Sequence, residues 1–223
     1  MMSTVDDGPE SVSEEAQPER KPRYGMLITL VVALAAVLIV RTFIGQIFVI
    51  PSGSMEPTLN PGNRVVVQKI GYNASTIQRG DIVVFDGTGS FIGYYQPSAL
   101  ERVTDWFGVS HSKRFFVKRV IGLPGDHIQC CDVQGHLLIN DKPLDESAIL
   151  GKGVLASDMS FNVVVPAGHL WMMGDNRMYS ADSRAHLGDP GGGFVPESKV
   201  VGRVVAVIWP PSQIHTVKPG EPR

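Results

Sequence analysis

From Gly25 to Val40 the chain reads Gly-Met-Leu-Ile-Thr-Leu-Val-Val-Ala-Leu-Ala-Ala-Val-Leu-Ile-Val, without a charged residue. A bilayer span needs about 20 apolar residues, with a lower limit near 17. Tyr24 and the aliphatic stem of Arg41 extend the segment at its two ends. Arg20, Lys21 and Arg23 precede it, so the positive-inside rule places the N-terminus in the cytoplasm and the remainder outside. The expectation is one transmembrane anchor over residues 24–44. A cleaved signal peptide shares the basic-then-apolar layout but needs small residues at its cleavage site. Arg41-Thr42-Phe43-Ile44-Gly45-Gln46-Ile47-Phe48-Val49-Ile50 supplies bulky ones instead. A buried core helix is a third option, because the segment is apolar on every side.

Beyond the anchor the pattern shortens. β-like runs at Arg64–Ile70, Asp81–Phe85, Phe115–Ile121, His127–Cys130, His136–Ile139, Asn162–Val165, His169–Met173 and Val200–Trp209 are separated by turn signals such as Asn60-Pro61-Gly62-Asn63 and Leu123-Pro124-Gly125-Asp126. This predicts a mainly β protein, with an antiparallel sheet body over residues 45–215, and argues against βαβ units. An insert over about 86–113 carries the one modest helical candidate, Pro97–Trp106, and a small lobe covers about 130–162. Residues 1–23 read as a disordered tail, acidic and ending in a basic cluster. Setting aside the tail's six acids and three bases leaves 17 bases against 16 acids. A body so near neutrality lacks the footprint of a nucleic-acid binder. Cys130 and Cys131 are neighbours. Adjacent Cα atoms lie about 3.8 Å apart, short of the roughly 4.4 Å a normal disulfide needs; the pair could close only as a strained vicinal bridge, so free thiols are the expectation.

Two serines flank a glycine in Ile50-Pro51-Ser52-Gly53-Ser54-Met55-Glu56-Pro57-Thr58-Leu59. A serine hydroxyl becomes a nucleophile only beside a base. None of the six histidines sits at a catalytic or metal-ligating spacing, so no metal site is expected. Lys118 is the better base. It lies in Phe115-Phe116-Val117-Lys118-Arg119-Val120-Ile121-Gly122, and period-two alternation puts it on the side of Phe116 and Val120. Apolar surroundings favour the neutral amine, which can take a proton from serine. An edge-strand lysine guarding against aggregation is the bland alternative. A third stretch, Gly174-Asp175-Asn176-Arg177-Met178-Tyr179-Ser180-Ala181-Asp182-Ser183-Arg184, places hydrogen-bonding residues just after an apolar strand, where they can orient a base or simply form a solvated turn.

The three stretches together, Pro-Ser-Gly-Ser-Met-Glu-Pro-Thr-Leu, Lys-Arg-Val-Ile-Gly-Leu-Pro-Gly-Asp and Gly-Asp-Asn-Arg-x-x-Ser-x-Asp-Ser-Arg, resemble the bacterial type I signal peptidase family in its single-anchor form. The resemblance implies a serine endopeptidase of the bacterial cell membrane that removes signal peptides from exported preproteins. It implies Ser54 as nucleophile, Lys118 as general base, and the Ser54 N–H with the Ser52 hydroxyl as oxyanion hole. Ser180 would orient the lysine, Asp182 and Arg184 would form a supporting ion pair, and Asp175 and Asn176 would be structural polar residues. Phe48, Ile50, Met55 and Val117 would line shallow pockets for small side chains. The implied partners are preprotein signal peptides, the lipid bilayer and the protein export machinery; no cofactor or nucleic acid is implied. A dedicated processing peptidase of the same family and an inactive membrane-tethered peptide-binding paralogue remain the alternatives.

Overall fold

The structure is a computed structural model of the chain and describes residues 24–39, 45–94, 96, 98, 99, 101, 114–151 and 154–218. Two units divide between Leu38 and Ile39. Tyr24–Ile39 form helix α1, all but its last residue within the first unit. At about 1.5 Å per residue its 16 residues reach roughly 24 Å, short of a hydrocarbon core about 30 Å thick. No helix among the described residues is long and apolar enough to cross a membrane. Residues 40–44 of the expected anchor lie outside the described residues, as do most of the Pro97–Trp106 segment and of the 86–113 insert.

The second unit is built on antiparallel sheets. Its strands are β1 (Gly45–Val49), β2 (Arg64–Gln68), β3 (Ile82–Asp86), β4 (Phe115–Gly122), β5 (His127–Cys130), β6 (Leu137–Ile139), β7 (Lys142–Pro143), β8 (Phe161–Val164), β9 (His169–Met173), β10 (Val195–Pro196), β11 (Val200–Trp209) and β12 (His215–Thr216). The larger sheet runs β1-β2-β11-β3-β4-β9-β10, with β12 paired to β11. The smaller runs β7-β6-β5-β8. The strands of the smaller sheet lie between His127 and Val164.

Burial explains the sequence patterns. On β3, Ile82 and Val84 pack into one cluster with Val65, Val67, Val204 and Val207, while Val83 and Phe85 pack into another with Val120, Leu170 and Met172. A strand covered on both faces reads as a continuous apolar run, as Ile82-Val83-Val84-Phe85 does. A third cluster joins Ile121, Trp171 and Met173 of the larger sheet to Ile128, Leu137, Ile139 and Phe161 of the smaller. That shared core fixes the small lobe against the strand that carries Lys118.

The free-thiol expectation is corrected: a disulfide joins Cys130 and Cys131. The peptide between them is cis, and the Cα atoms are 3.0 Å apart. The expectation had assumed the trans spacing.

Candidate active site

After β1 the chain turns sharply in a single 3-10 turn, Gly53–Met55. Ile50, Met55 and Leu59 are 2%, 1% and 0% exposed and belong to one core cluster. Each such burial contributes on the order of 1.5–3 kcal/mol, so the turn is nailed down before and after Ser54. Two backbone bonds close it, Glu56 N–H to the Gly53 carbonyl at 3.1 Å and Leu59 N–H to the Met55 carbonyl at 2.9 Å. Pro51 and Ser52 stay exposed, and Ser54 is half-buried.

Strand β4 delivers Lys118 to this turn from between β3 and β9. Its Nζ donates to Ser54 Oγ at 2.6 Å. Lys118 is only 4% exposed. Burial pushes its ammonium down to about 8, against a partial upward pull from Asp182 and Asp175. A lysine in that range is partly neutral near physiological pH and can accept the Ser54 proton. Ser52 Oγ lies 3.5 Å from Ser54 Oγ, at the long limit of a hydrogen bond.

The segment after β9 grips the turn. Asn176 N–H donates to the Ser54 carbonyl at 3.1 Å, and Asn176 Nδ2 donates to the Gly53 carbonyl at 3.1 Å. Thr58 Oγ1 donates to Asp175 Oδ2 at 2.5 Å. Asp175 in turn takes a two-pronged bond from Arg119, Nε to Oδ1 at 2.7 Å and Nη2 to Oδ2 at 2.6 Å. Arg119 sits next to Lys118 on β4, so one buried ion pair ties the serine turn to the lysine strand. Gly174 is needed where the two meet: a methyl there would collide with Ser180 Oγ and the Ser54 carbonyl oxygen.

Asp182 and Arg184 form a buried pair, Nε to Oδ1 at 2.9 Å and Nη2 to Oδ2 at 2.8 Å. Burial alone would raise the Asp182 carboxyl, but the Arg184 guanidinium and the Gly174 N–H hold it below its ordinary value. Arg184 also reaches Ser157 Oγ in the small lobe at 3.1 Å and the Arg177 carbonyl at 2.8 Å. Arg177 pairs with buried Glu146 and donates to the carbonyls of Ala156 at 3.0 Å and Gly174 at 3.0 Å. Breaking one partner out of such a pair costs about 3–5 kcal/mol.

The structure thus brings Ser54, Lys118 and Ser52 together and seats Asp182 and Arg184 behind them. Ser180 lies against Gly174; its buried hydroxyl acts on Asp182, helping to hold that carboxyl down, without a hydrogen bond of good geometry there or to Lys118. Of the expected pocket residues, Phe48 and Val117 are half-buried, Phe48 edge-on to Phe115 at 5.7 Å. Ile50 and Met55 are core residues whose burial leaves almost no surface for a substrate. Sequence reasoning passed over Thr58, Arg119, Glu146, Ser157 and the ion pair of Arg177. The one usable signal was that Arg119 sits beside the lysine.

The family described as signal peptidase, peptidase S26, matches residues 23–209. A probable signal peptidase I of Mycobacterium leprae is 35% identical, covering 93% of this chain and 86% of its own. A signal peptidase I of Leptolyngbya laminosa is 33% identical, covering 98% of each chain. A solved signal peptidase I of Enterococcus faecalis is 26% identical over 56% of this chain and 94% of its own, with a TM-score of 0.38, too distant a likeness to argue from. With the family matched across most of its length, the chain belongs to the signal peptidase family, peptidase S26, and is a hydrolase of the serine endopeptidase class.

Proposed function

We propose that the chain cleaves N-terminal signal peptides from exported preproteins, after small residues in an Ala-x-Ala pattern, through a Ser54/Lys118 dyad. The observation that carries the reading is the 2.6 Å contact between Lys118 Nζ and Ser54 Oγ, made by a lysine that burial pushes toward its neutral form. Neutral Lys118 takes the Ser54 proton as Oγ attacks the scissile carbonyl. The Ser54 N–H and Ser52 hydroxyl receive the developing oxyanion. Lysine then returns the proton to the leaving amine, and an ester on Ser54 remains for water to hydrolyse. The apolar segment at 24–44 anchors the protein in the cell membrane, with the N-terminus cytoplasmic and the β body outside. Ser54 follows that segment closely, so the nucleophile meets its substrate where a signal peptide leaves the bilayer. In this reading Phe48 and Val117, half-buried and packed on the core cluster that holds Ile50 and Met55, line shallow pockets that favour small side chains in the substrate.

The test is incubation of the detergent-solubilised full chain with a purified preprotein, followed by N-terminal sequencing. A single new N-terminus after a small residue is expected, and none with Ser54→Ala. Cleavage at scattered positions, or no cleavage, would overturn the reading.

A further inference from the structure

Asn176 has a position that a general structural role does not account for. Its backbone N–H holds the Ser54 carbonyl and its side-chain Nδ2 holds the Gly53 carbonyl, each at 3.1 Å. Two successive carbonyls of the nucleophile's turn are therefore gripped by one residue. The second bond matters more. Gly53 C=O and Ser54 N–H belong to one planar trans peptide and point in opposite directions, so a donor fixed on the oxygen aims the N–H at the other end. Donation to the carbonyl also polarises the peptide and strengthens its N–H as a donor. The grip is itself rigid, because the neighbours Asp175 and Arg177 are 3% and 2% exposed and held in buried ion pairs. The Glu56 N–H shares the Gly53 carbonyl at 3.1 Å, but it belongs to the turn itself and moves with it.

We propose that Asn176 is a positioning residue of the oxyanion hole, acting through the Gly53–Ser54 peptide to hold the Ser54 N–H on the oxygen that becomes negative. This rests on the reading of Ser54 as nucleophile. Its effect appears when charge develops on that oxygen and is absent from ground-state binding.

The variant that separates these is Asn176→Asp. It keeps the shape and the backbone N–H, and replaces the Nδ2 donor with a carboxylate oxygen facing the Gly53 carbonyl. The probes are a signal-sequence peptide aldehyde and the same peptide ending in an unreactive alcohol. With the aldehyde, Ser54 Oγ bonds to the carbonyl carbon, the C=O π pair moves onto oxygen, and the Ser54 proton passes to Lys118. The expected result is a loss of about tenfold in kcat and in aldehyde affinity, the worth of about one hydrogen bond. The alcohol's Kd and the KM should stay within about twofold, and kcat is compared on the alkaline plateau, because the added carboxylate, like Asp182 and Asp175, favours the charged lysine and moves the acid limb of Asn176→Asp to higher pH, whereas with Asn176→Ala the limb stays in place. Asn176→Ala should behave in the same direction, which covers the case in which the aspartate variant fails to fold. Equal losses for aldehyde and alcohol, or kcat unchanged in both variants, would overturn the proposal. Ser54→Ala run in parallel keeps the two readings distinguishable. If it retains turnover, the nucleophile assignment fails; if it is inert while the Asn176 variants are unaffected, only the positioning role fails.

Discussion

Replacing Lys118 by methionine should abolish turnover and yet stabilise the protein near neutral pH. The side chains are similar in length, and the site is closed, with Lys118 4% exposed. Burial lowers the lysine from an ordinary 10.5 to about 8. At about 1.36 kcal/mol per unit, that difference is roughly 3 kcal/mol of cost to the folded state. Below pH 8 both folded and unfolded chains hold the proton, so the cost is fully present. Between pH 8 and 10.5 the folded chain has released its proton while the unfolded chain keeps it, so stability rises with pH. Above 10.5 the cost is gone. Methionine removes the charge but also the Nζ–Oγ bond to Ser54, worth about 1 kcal/mol. The Lys118→Met protein should therefore be more stable than the parent by about 2 kcal/mol at pH 7, and less stable by about 1 kcal/mol once the lysine is neutral in both states. Urea unfolding of both proteins at pH 7, 9 and 11 measures this. A stability gap that does not change with pH, or a methionine variant less stable at pH 7, would refute the reasoning.

The same titration sets the activity profile. With the neutral amine as the active form, kcat/KM should rise about 50-fold from pH 6 to 8 and only about twofold beyond; steady-state cleavage of a peptide substrate across pH 5.5–9.5 shows whether the limb lies instead near a histidine's value. Asp182→Asn should leave the buried Arg184 without its carboxylate, at a cost of about 3–5 kcal/mol. The expected fall in Tm by calorimetry is about 6–20 °C for a chain of this size. In whatever fraction stays folded, the acid limb should move to lower pH, because Asp182 favours the charged lysine.

Much of this was legible in the sequence, for physical reasons that differ by element. His127–Cys130, His169–Met173 and Val200–Trp209 were marked out to the residue, because turn formers bracket β-rich runs there. Strand β1 was hidden. Ile47 and Val49 are about half exposed while Ile50 is buried, so apolar residues occupy both faces and the run merges with the segment before it. The two-residue strands β7, β10 and β12 are too short to carry any period. Ser54 and Lys118 could be paired from motifs, although 64 residues separate them. The ion pairs Arg119–Asp175 and Arg177–Glu146 join residues 56 and 31 apart; nothing local tells which acid an arginine will meet. Apolar residues beside a candidate nucleophile suggest a substrate surface from sequence alone; in the fold Ile50 and Met55 are buried in the core cluster that anchors the turn.

The central claim is that Ser54 attacks the peptide bond with Lys118 as its base, and trapping the covalent intermediate tests it most directly. Wild-type protein mixed with a preprotein and quenched in acid within milliseconds should yield a proteolytic fragment containing Ser54 that is heavier by the acyl group of the signal peptide. The adduct should be absent from Ser54→Ala and Lys118→Ala, both still folded. An adduct on another residue, or full turnover by the purified Ser54→Ala protein, would contradict the account.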